Sequence, residues 1–480
     1  MIAAFGKRLQ SVAACRVQLL CLLLYSMQIL GRRSFALAVS PLFSSGTLSR
    51  SQIGILSSVW RISLATTKIG ITLFIDEFDP RVLMGISWIG SGVCCILVGL
   101  SNSFWLMVVP WACDAAFVST GWPSTVKFLR SGCDAGGGLG TWMSVYAACA
   151  SLAAGTFPWI FAAVTTELEM TEREQARFSF VLPGMVSILA GLLAFRQFGH
   201  LRASTHRNGG ESAANDSSGN QSGAKPREVR SEIQNYGFVQ RVSFFVRTPG
   251  FVYFLLAITV VNGIKILLID WFVLLAMETG MADEKSSQAG LGWLDVGVML
   301  GTLSSGVLAA GVPVLLRRVF AAEAETSQSE ERRDLHGNAQ YSQREKQQQQ
   351  HHHRSMSMVT VSYSLGAVLI INHIVDLMAS SHDEPAAHLP LVMGMLGFTL
   401  GGLHNLLVLA AVSVWPPHLV GAAMGLSGLS AQLGALLAGW PVAYAVSTFG
   451  GWMPIARCVQ AAGLLLVGAV ISAFASSSVA

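Results

Sequence analysis

The chain has 480 residues, of which 52% are hydrophobic and only 12% charged, and its formal net charge is +4. Soluble domains carry about 25% charged residues, so this composition, with a mean hydropathy of +0.53, excludes an ordinary soluble protein. The basic residues are scattered over loops without a binding motif, which argues against a nucleic-acid surface.

Twelve apolar segments are long enough to cross a bilayer as helices. They fall near 16–42, 52–75, 82–101, 103–130, 139–165, 178–198, 249–277, 286–315, 356–380, 389–415, 419–447 and 453–476. The runs are continuously apolar rather than alternating, which excludes a closed β-barrel. The expected fold is an all-α membrane protein with twelve transmembrane helices in two six-helix halves, 1–198 and 248–480. The first run continues past Arg32 to a full span, so it reads as a span and not as a cleavable signal.

Helix 1 carries Arg32 roughly fifteen residues into its apolar run, where a charge costs about 2.5–3.5 kcal/mol. Such a charge persists where it faces an internal cavity. Arg33 follows directly and points about 100° away, so the two cannot face one point. Helix 2 carries Arg61 and Lys68, seven apart and on one face, with Trp60 beside the deeper Arg61. Residues 199–247 are polar and Gly/Ser-rich and read as a flexible cytosolic linker between the halves.

Helix 7 repeats the pattern of helix 1, with Lys265 about as far into its run and Asp270 five residues on. Residues 317–355 are charged, end in a Gln/His tract and lack apolar residues for a core, so disorder is expected there. Helix 10 holds a lone histidine, His404, whose reading as a cavity residue or a packing residue stays open. Paired midplane cations in repeated halves suggest a transporter that holds an anion at the repeat interface. The competing reading makes the same cations helix-locking ion pairs with Asp114, Asp270 and Asp295.

No P-loop, nucleophile elbow or zinc-protease motif is present, so an enzyme is not expected, nor a cofactor. The eight cysteines show no CxxC or Cys/His spacing and read as packing residues, with no metal site expected. Placing the N-terminus in the cytosol puts Lys7, Arg8, Lys127, Arg130, Arg202, Arg207, Lys225, Arg227, Arg230, Arg317, Arg318, Arg332 and Arg333 on that side. Arg50, Arg173, Arg177 and Lys285 fall opposite, which matches the positive-inside rule with both termini cytosolic.

Several segments resemble the organophosphate:phosphate antiporter family of the major facilitator superfamily. "GRRSFALAVSPLF" is similar to the family's helix 1 pattern and puts Arg32 on its substrate-binding arginine, with Arg33 on the basic residue that follows. "TTKIGITLFIDEFDPR" resembles the helix 2 segment and the loop after it. Lys68, Asp76 and Arg81 match there, and Thr72 replaces the usual glycine. Gly121, Trp122 and Pro123 look like the helix 4 signature. "NGIKILLIDW" puts Lys265 on the second phosphate contact, with Asp270 and Trp271 matching.

"SVWPPHLVGAAMGLSGLSAQLGALLAGWP" is most similar to the sugar-phosphate exchanger branch, which includes the glucose-6-phosphate transporters of the endoplasmic reticulum. The chain departs from the pattern at Ala150, where bacterial members carry histidine, and at Leu403, where a proline is usual. Arg61 has no counterpart in the pattern.

The resemblance implies exchange of an organic phosphate for inorganic phosphate by alternating access. Arg32 and Lys265 would hold the phosphoryl group, and Lys68 and Arg61 would raise the local potential. Tyr146, Trp271 and His404 would meet the organic moiety. The implied partners are a small anionic substrate and membrane lipid, with an endomembrane location favoured over the plasma membrane. A carrier of another organic anion, or a non-transporting membrane sensor or scaffold, remains an alternative.

The orientation has a direct test. Asn215 and Asn220 begin formal glycosylation acceptors in the linker. Neither is expected to carry glycan, because the linker is expected in the cytosol. A glycosidase-sensitive mobility shift that disappears when both are changed to Gln would reverse the topology.

Overall fold

The structure is a computed structural model that describes residues 19, 22–27, 29–74, 79–132, 139–212, 249–327, 337–379, 388–413 and 420–477. Regular elements among these residues are all helical. The chain divides into two compact units, Met1–Phe244 and Phe245–Ala480.

In the first unit, residues 22–27 and 29–30 are helical, and a single 3-10 turn at Gly31–Arg33 leads into α1, Ser34–Ser44. Then follow α2 (Arg50–Phe74), α3 (Pro80–Leu100), α4 (Phe104–Gly132), α5 (Leu139–Glu167) and α6 (Glu172–Ser212). The second unit holds α7 (Pro249–Glu278), α8 (Glu284–Ser327), α9 (Gly337–Ala379) and α10 (Leu389–Ser413). It ends with α11 (Val420–Leu437), α12 (Trp440–Phe449) and α13 (Met453–Ser477).

Among the described residues, ten helical stretches are long and apolar enough to cross a membrane, α11 and α12 together supplying one of them. The remaining two spans begin the chain: the helical run through α1, and α2. At 25 residues, α2 has the length to cross, but it is diluted by Arg61, Lys68 and a series of serines and threonines. α1 is apolar but, at 11 residues, short.

Glycine sets the closest helix approaches, as small residues do where no hydrophobic force drives helices together within lipid. In the first unit α3 packs on α6, where a Cβ at Gly92 would lie 2.5 Å from the Gly184 carbonyl oxygen. Ser187 Oγ donates to the Trp88 carbonyl across the same contact at 2.9 Å. In the second unit α8 packs on α10. A Cβ at Gly297 would collide with the Gly394 carbonyl, one at Gly397 with the Leu294 carbonyl, and one at Gly301 with the Phe398 carbonyl. Gly434 meets the Thr259 carbonyl where α11 crosses α7, and Thr259 Oγ1 donates to Ser430 O at 3.1 Å.

The eleventh span breaks between Leu437 and Trp440, with Pro441 in the first turn of α12. Proline lacks an N–H, so the helix ladder cannot run unbroken through this point. At this break the Trp271 indole N–H donates to the Ala438 carbonyl at 2.7 Å.

The polar tracts differ in part from expectation. Residues 199–212 continue α6 as helix, and the 317–355 insert is helical over 317–327 and 337–355. Gln, Lys, Glu, Arg and Ala are strong helix formers, so a tract without a core can still extend a helix already nucleated by a span. Residues 213–248 of the linker lie outside the described residues.

The α8–α10 contact generates an asymmetric prediction. Gly297→Ala is expected to destabilise the protein by about 1–3 kcal/mol, because the new methyl must displace backbone. Gly394→Ala is expected to be well tolerated, since a Cβ there meets nothing closer than Trp293 O at 3.7 Å. Thermal melts in detergent compare the two, and equal loss would contradict this packing.

Candidate functional site

The first unit concentrates its polar groups around one buried carboxylate. Asp114 of α4 is 3% exposed. Its Oδ2 accepts from Trp60 Nε1 of α2 at 2.8 Å, and its Oδ1 accepts from Ser91 Oγ of α3 at 2.5 Å. Cys95 Sγ, one turn along α3, lies 3.7 Å from the same Oδ1. Three helices therefore meet on one side chain. Burying a carboxylate is costly unless its lone pairs are met by donors, and these three groups meet them.

Aromatic rings extend this centre. Trp60 lies 5.9 Å from Trp111, centroid to centroid, and Trp111 stacks with Phe35 of α1 at 5.6 Å. The Arg61 guanidinium sits over the Trp60 ring, with Cζ 4.6 Å from its centroid, a cation–π arrangement. Arg61 and Lys68 are both half-buried.

The 3-10 turn at Gly31–Arg33 tightens helix 1 where its two arginines lie. Short 3-10 stretches inside a helix often mark functional hinges. Arg33 is buried, at 7% exposure. A Cβ at Gly31 would be 3.9 Å from Cys95 Sγ, so the turn lies against the Asp114 centre. Ser34 Oγ, also buried, has no hydrogen-bond partner among the described residues. The side chain of Arg32 lies outside the described residues, as do Asp76 and the side chains of Arg81, Trp122 and Pro123. Gly121 is buried in α4.

In the second unit Lys265 and His404 lie on two helices that pack together. Lys265 is half-buried on α7, and α10, which carries His404, packs against α7. The side of α10 follows from its neighbours. A Cβ at Gly290 would meet both Phe272 of α7 and Met393 of α10, at 3.0 and 3.6 Å. His404 is about three turns beyond Met393, which returns it to the same side. Its Nδ1 is buried without a hydrogen-bond partner among the described residues.

The next residue fixes this turn. Asn405 Nδ2 donates to Thr302 O at 3.2 Å and to Ser305 Oγ at 3.0 Å, both on α8. Asp270 of α7 and Asp295 of α8 are buried.

The aromatic candidates fall elsewhere. Tyr146 is 0% exposed and packs with Leu24, Tyr25, Met84 and Trp88, its ring 6.1 Å from Tyr25. Trp271 is also 0% exposed, with its N–H committed to Ala438 O and its ring 5.9 Å from Trp452. Trp452 Nε1 in turn donates to Glu278 Oε2 at 2.6 Å. Both aromatics, expected at the organic moiety, are buried among neighbouring helices. Sequence reasoning also missed the Trp60–Asp114 bond, whose partners are 54 residues apart, and the roles of Ser91 and Asn405.

Trp271→Phe keeps the ring but leaves a buried carbonyl without its donor. A loss of about 1–3 kcal/mol in thermal stability is expected. An unchanged melting temperature would contradict the anchoring role of the indole.

Comparisons with known proteins agree with this architecture. The chain is 24% identical over 432 residues to the membrane sensor protein UhpC of Escherichia coli, covering 88% of this chain and 84% of that protein. It is 22% identical over 443 residues to a probable hexose phosphate transport protein of Chlamydia pneumoniae, covering 91% and 86%. Among solved structures, an inward-facing bacterial homologue of the human lysosomal transporter Spinster superposes with a TM-score of 0.62 at 13% identity, over 97% of each chain. The nucleoside transporter NupG also gives 0.62, at 10% identity, over 95% of this chain and 98% of that one. At such identities the solved structures speak for the fold alone. The Major Facilitator Superfamily pattern matches residues 21–324, and the chain belongs to that family.

Proposed function

We propose that this multi-pass membrane protein is a secondary carrier that exchanges an organic phosphate, such as a hexose phosphate, for inorganic phosphate by alternating access. The observation that carries the reading is Lys265, half-buried in the long and largely apolar helix α7, which packs against α10. A cation at this depth is expensive, and it is retained where an anion needs it. The hexose-phosphate names of the relatives support the substrate class.

In this reading Arg32 and Lys265 grip the phosphoryl group. The arginine supplies a planar fork for two oxygens, and the lysine acts as a point charge. Lys68 and Arg61 raise the positive potential felt by the incoming anion. His404, with Nδ1 available, contacts the organic moiety. Arg33 and Asp270, both buried, support the helices that carry the grip.

A second reading has its own observation. One of the relatives is a membrane sensor protein that matches along 88% of this chain. A sensor would bind the same anion without moving it, and its polar tracts at 199–247 and 317–355 would recruit partners.

Counterflow in proteoliposomes tests the proposal. Vesicles loaded with inorganic phosphate should take up labelled hexose phosphate in exchange. Arg32→Ala should lower that exchange by about 30-fold or more, the equivalent of one truncated charge-assisted contact. Arg32→Lys should also be poor, because it loses the fork. Wild-type protein that binds hexose phosphate but shows no counterflow would favour the sensor. Transport above half of wild type in Arg32→Ala would remove the arginine from the grip.

A further inference from the structure

We propose that Asp114 is a positioning residue for the first unit's cations: its carboxylate fixes the Trp60 indole on which the Arg61 guanidinium is seated, next to the Gly31–Arg33 turn. The case rests on a continuous set of contacts. Asp114 Oδ2 accepts from Trp60 Nε1 at 2.8 Å, and the Trp60 ring carries Arg61 Cζ 4.6 Å above its centroid. On the other oxygen, Ser91 Oγ donates at 2.5 Å, and Cys95 Sγ at 3.7 Å links the carboxylate to the backbone of the arginine turn at Gly31.

The chemistry favours positioning over simple packing. A tryptophan in a span can rotate about two side-chain torsions, and a flexible arginine above it follows. Here the indole is held at its N–H by a carboxylate and along its edge by Trp111, which stacks on Phe35 of α1. The face that Trp60 presents to Arg61 is therefore fixed from α1, α3 and α4 together. Arg61 has lost the rotamer freedom that a long side chain otherwise gives up only on binding, so an anion meeting it loses less.

The carboxylate accepts from both neighbours at once. An amide in its place could still accept from Trp60 and donate to the Ser91 hydroxyl, which can accept. Asp114→Leu removes both acceptors and releases Trp60, whose N–H can only donate. The consequence for selectivity rests on the exchange of organic phosphates proposed above. An oriented Arg61 pairs with a second anionic group on the substrate, so Asp114 would favour doubly anionic substrates over inorganic phosphate.

Two experiments separate this inference from that reading. The first needs no transport. In detergent-purified protein that keeps the wild-type elution profile, phenylglyoxal modification of Arg61 is followed by peptide mass spectrometry. Asp114→Leu should raise the labelling rate about fivefold, as the hydrogen bond that holds the indole is lost. Trp60→Phe, which keeps the ring but not the N–H, should raise it similarly. Wild-type labelling rates in both variants would overturn the proposal whether or not the protein transports.

The second experiment measures competition against labelled phosphate by inorganic phosphate, a hexose monophosphate, a hexose bisphosphate and phosphoglycerate. Asp114→Leu should weaken the bisphosphate and phosphoglycerate about tenfold more than inorganic phosphate. In an Arg61→Gln background it should add no further selectivity, because the two residues act as a unit. Equal weakening across the panel, or the same selectivity loss in that background, would overturn the positioning role. Wild-type protein that exchanges none of the panel would count against the carrier reading, and the labelling result would still decide the role of Asp114.

Discussion

A charge inside a bilayer must be paid for at the place where it sits, and this constraint organises both units. In the first, Asp114 gathers donors from α2 and α3 onto a helix that is otherwise apolar. In the second, Lys265, Asp270 and Asp295 lie on α7 and α8, and His404 lies on α10, which packs against α7. Removing one member of such a set costs more than the set contributes, because the remaining polar groups stay buried and unmatched. The polar residues of the spans are thus coupled to one another before any ligand is considered.

The packing around them is correspondingly stiff. Close glycine contacts bring backbone against backbone where α3 meets α6 and where α8 meets α10. Asn405 ties the turn after His404 to α8, and the Trp271 indole closes the broken eleventh span. Helices held this way present a side chain at a defined depth. That precision is what a site for a small anion requires, since a contact displaced by an ångström forfeits most of a directional hydrogen bond.

The spans and the two halves were legible because lipid demands long apolar runs, and that demand is written residue by residue. The individual roles inside a span were less so. A tyrosine or tryptophan fits equally well against neighbouring helices or along a pathway, and only the fold distinguishes them. Tyr146 and Trp271 are both fully buried, and the Trp271 indole is held by a carbonyl at the break of a helix distant in sequence. The 3-10 turn beneath Arg33 leaves no signal in composition. The Trp60–Asp114 bond joins residues on separate spans and could be read only as a list of possible acid partners. His404 was visible as an oddity, and the packing of α10 on α7 gives it a context that spacing alone did not supply.

The central claim is that cations carried by both units hold a phosphoryl anion. Equilibrium binding of labelled inorganic phosphate to the purified protein tests it most directly, in wild type and in Lys265→Met. The account predicts saturable binding by the wild type that a hexose phosphate displaces, and a loss of about 30-fold or more in affinity in the variant. Wild-type affinity in a folded Lys265→Met protein would contradict it.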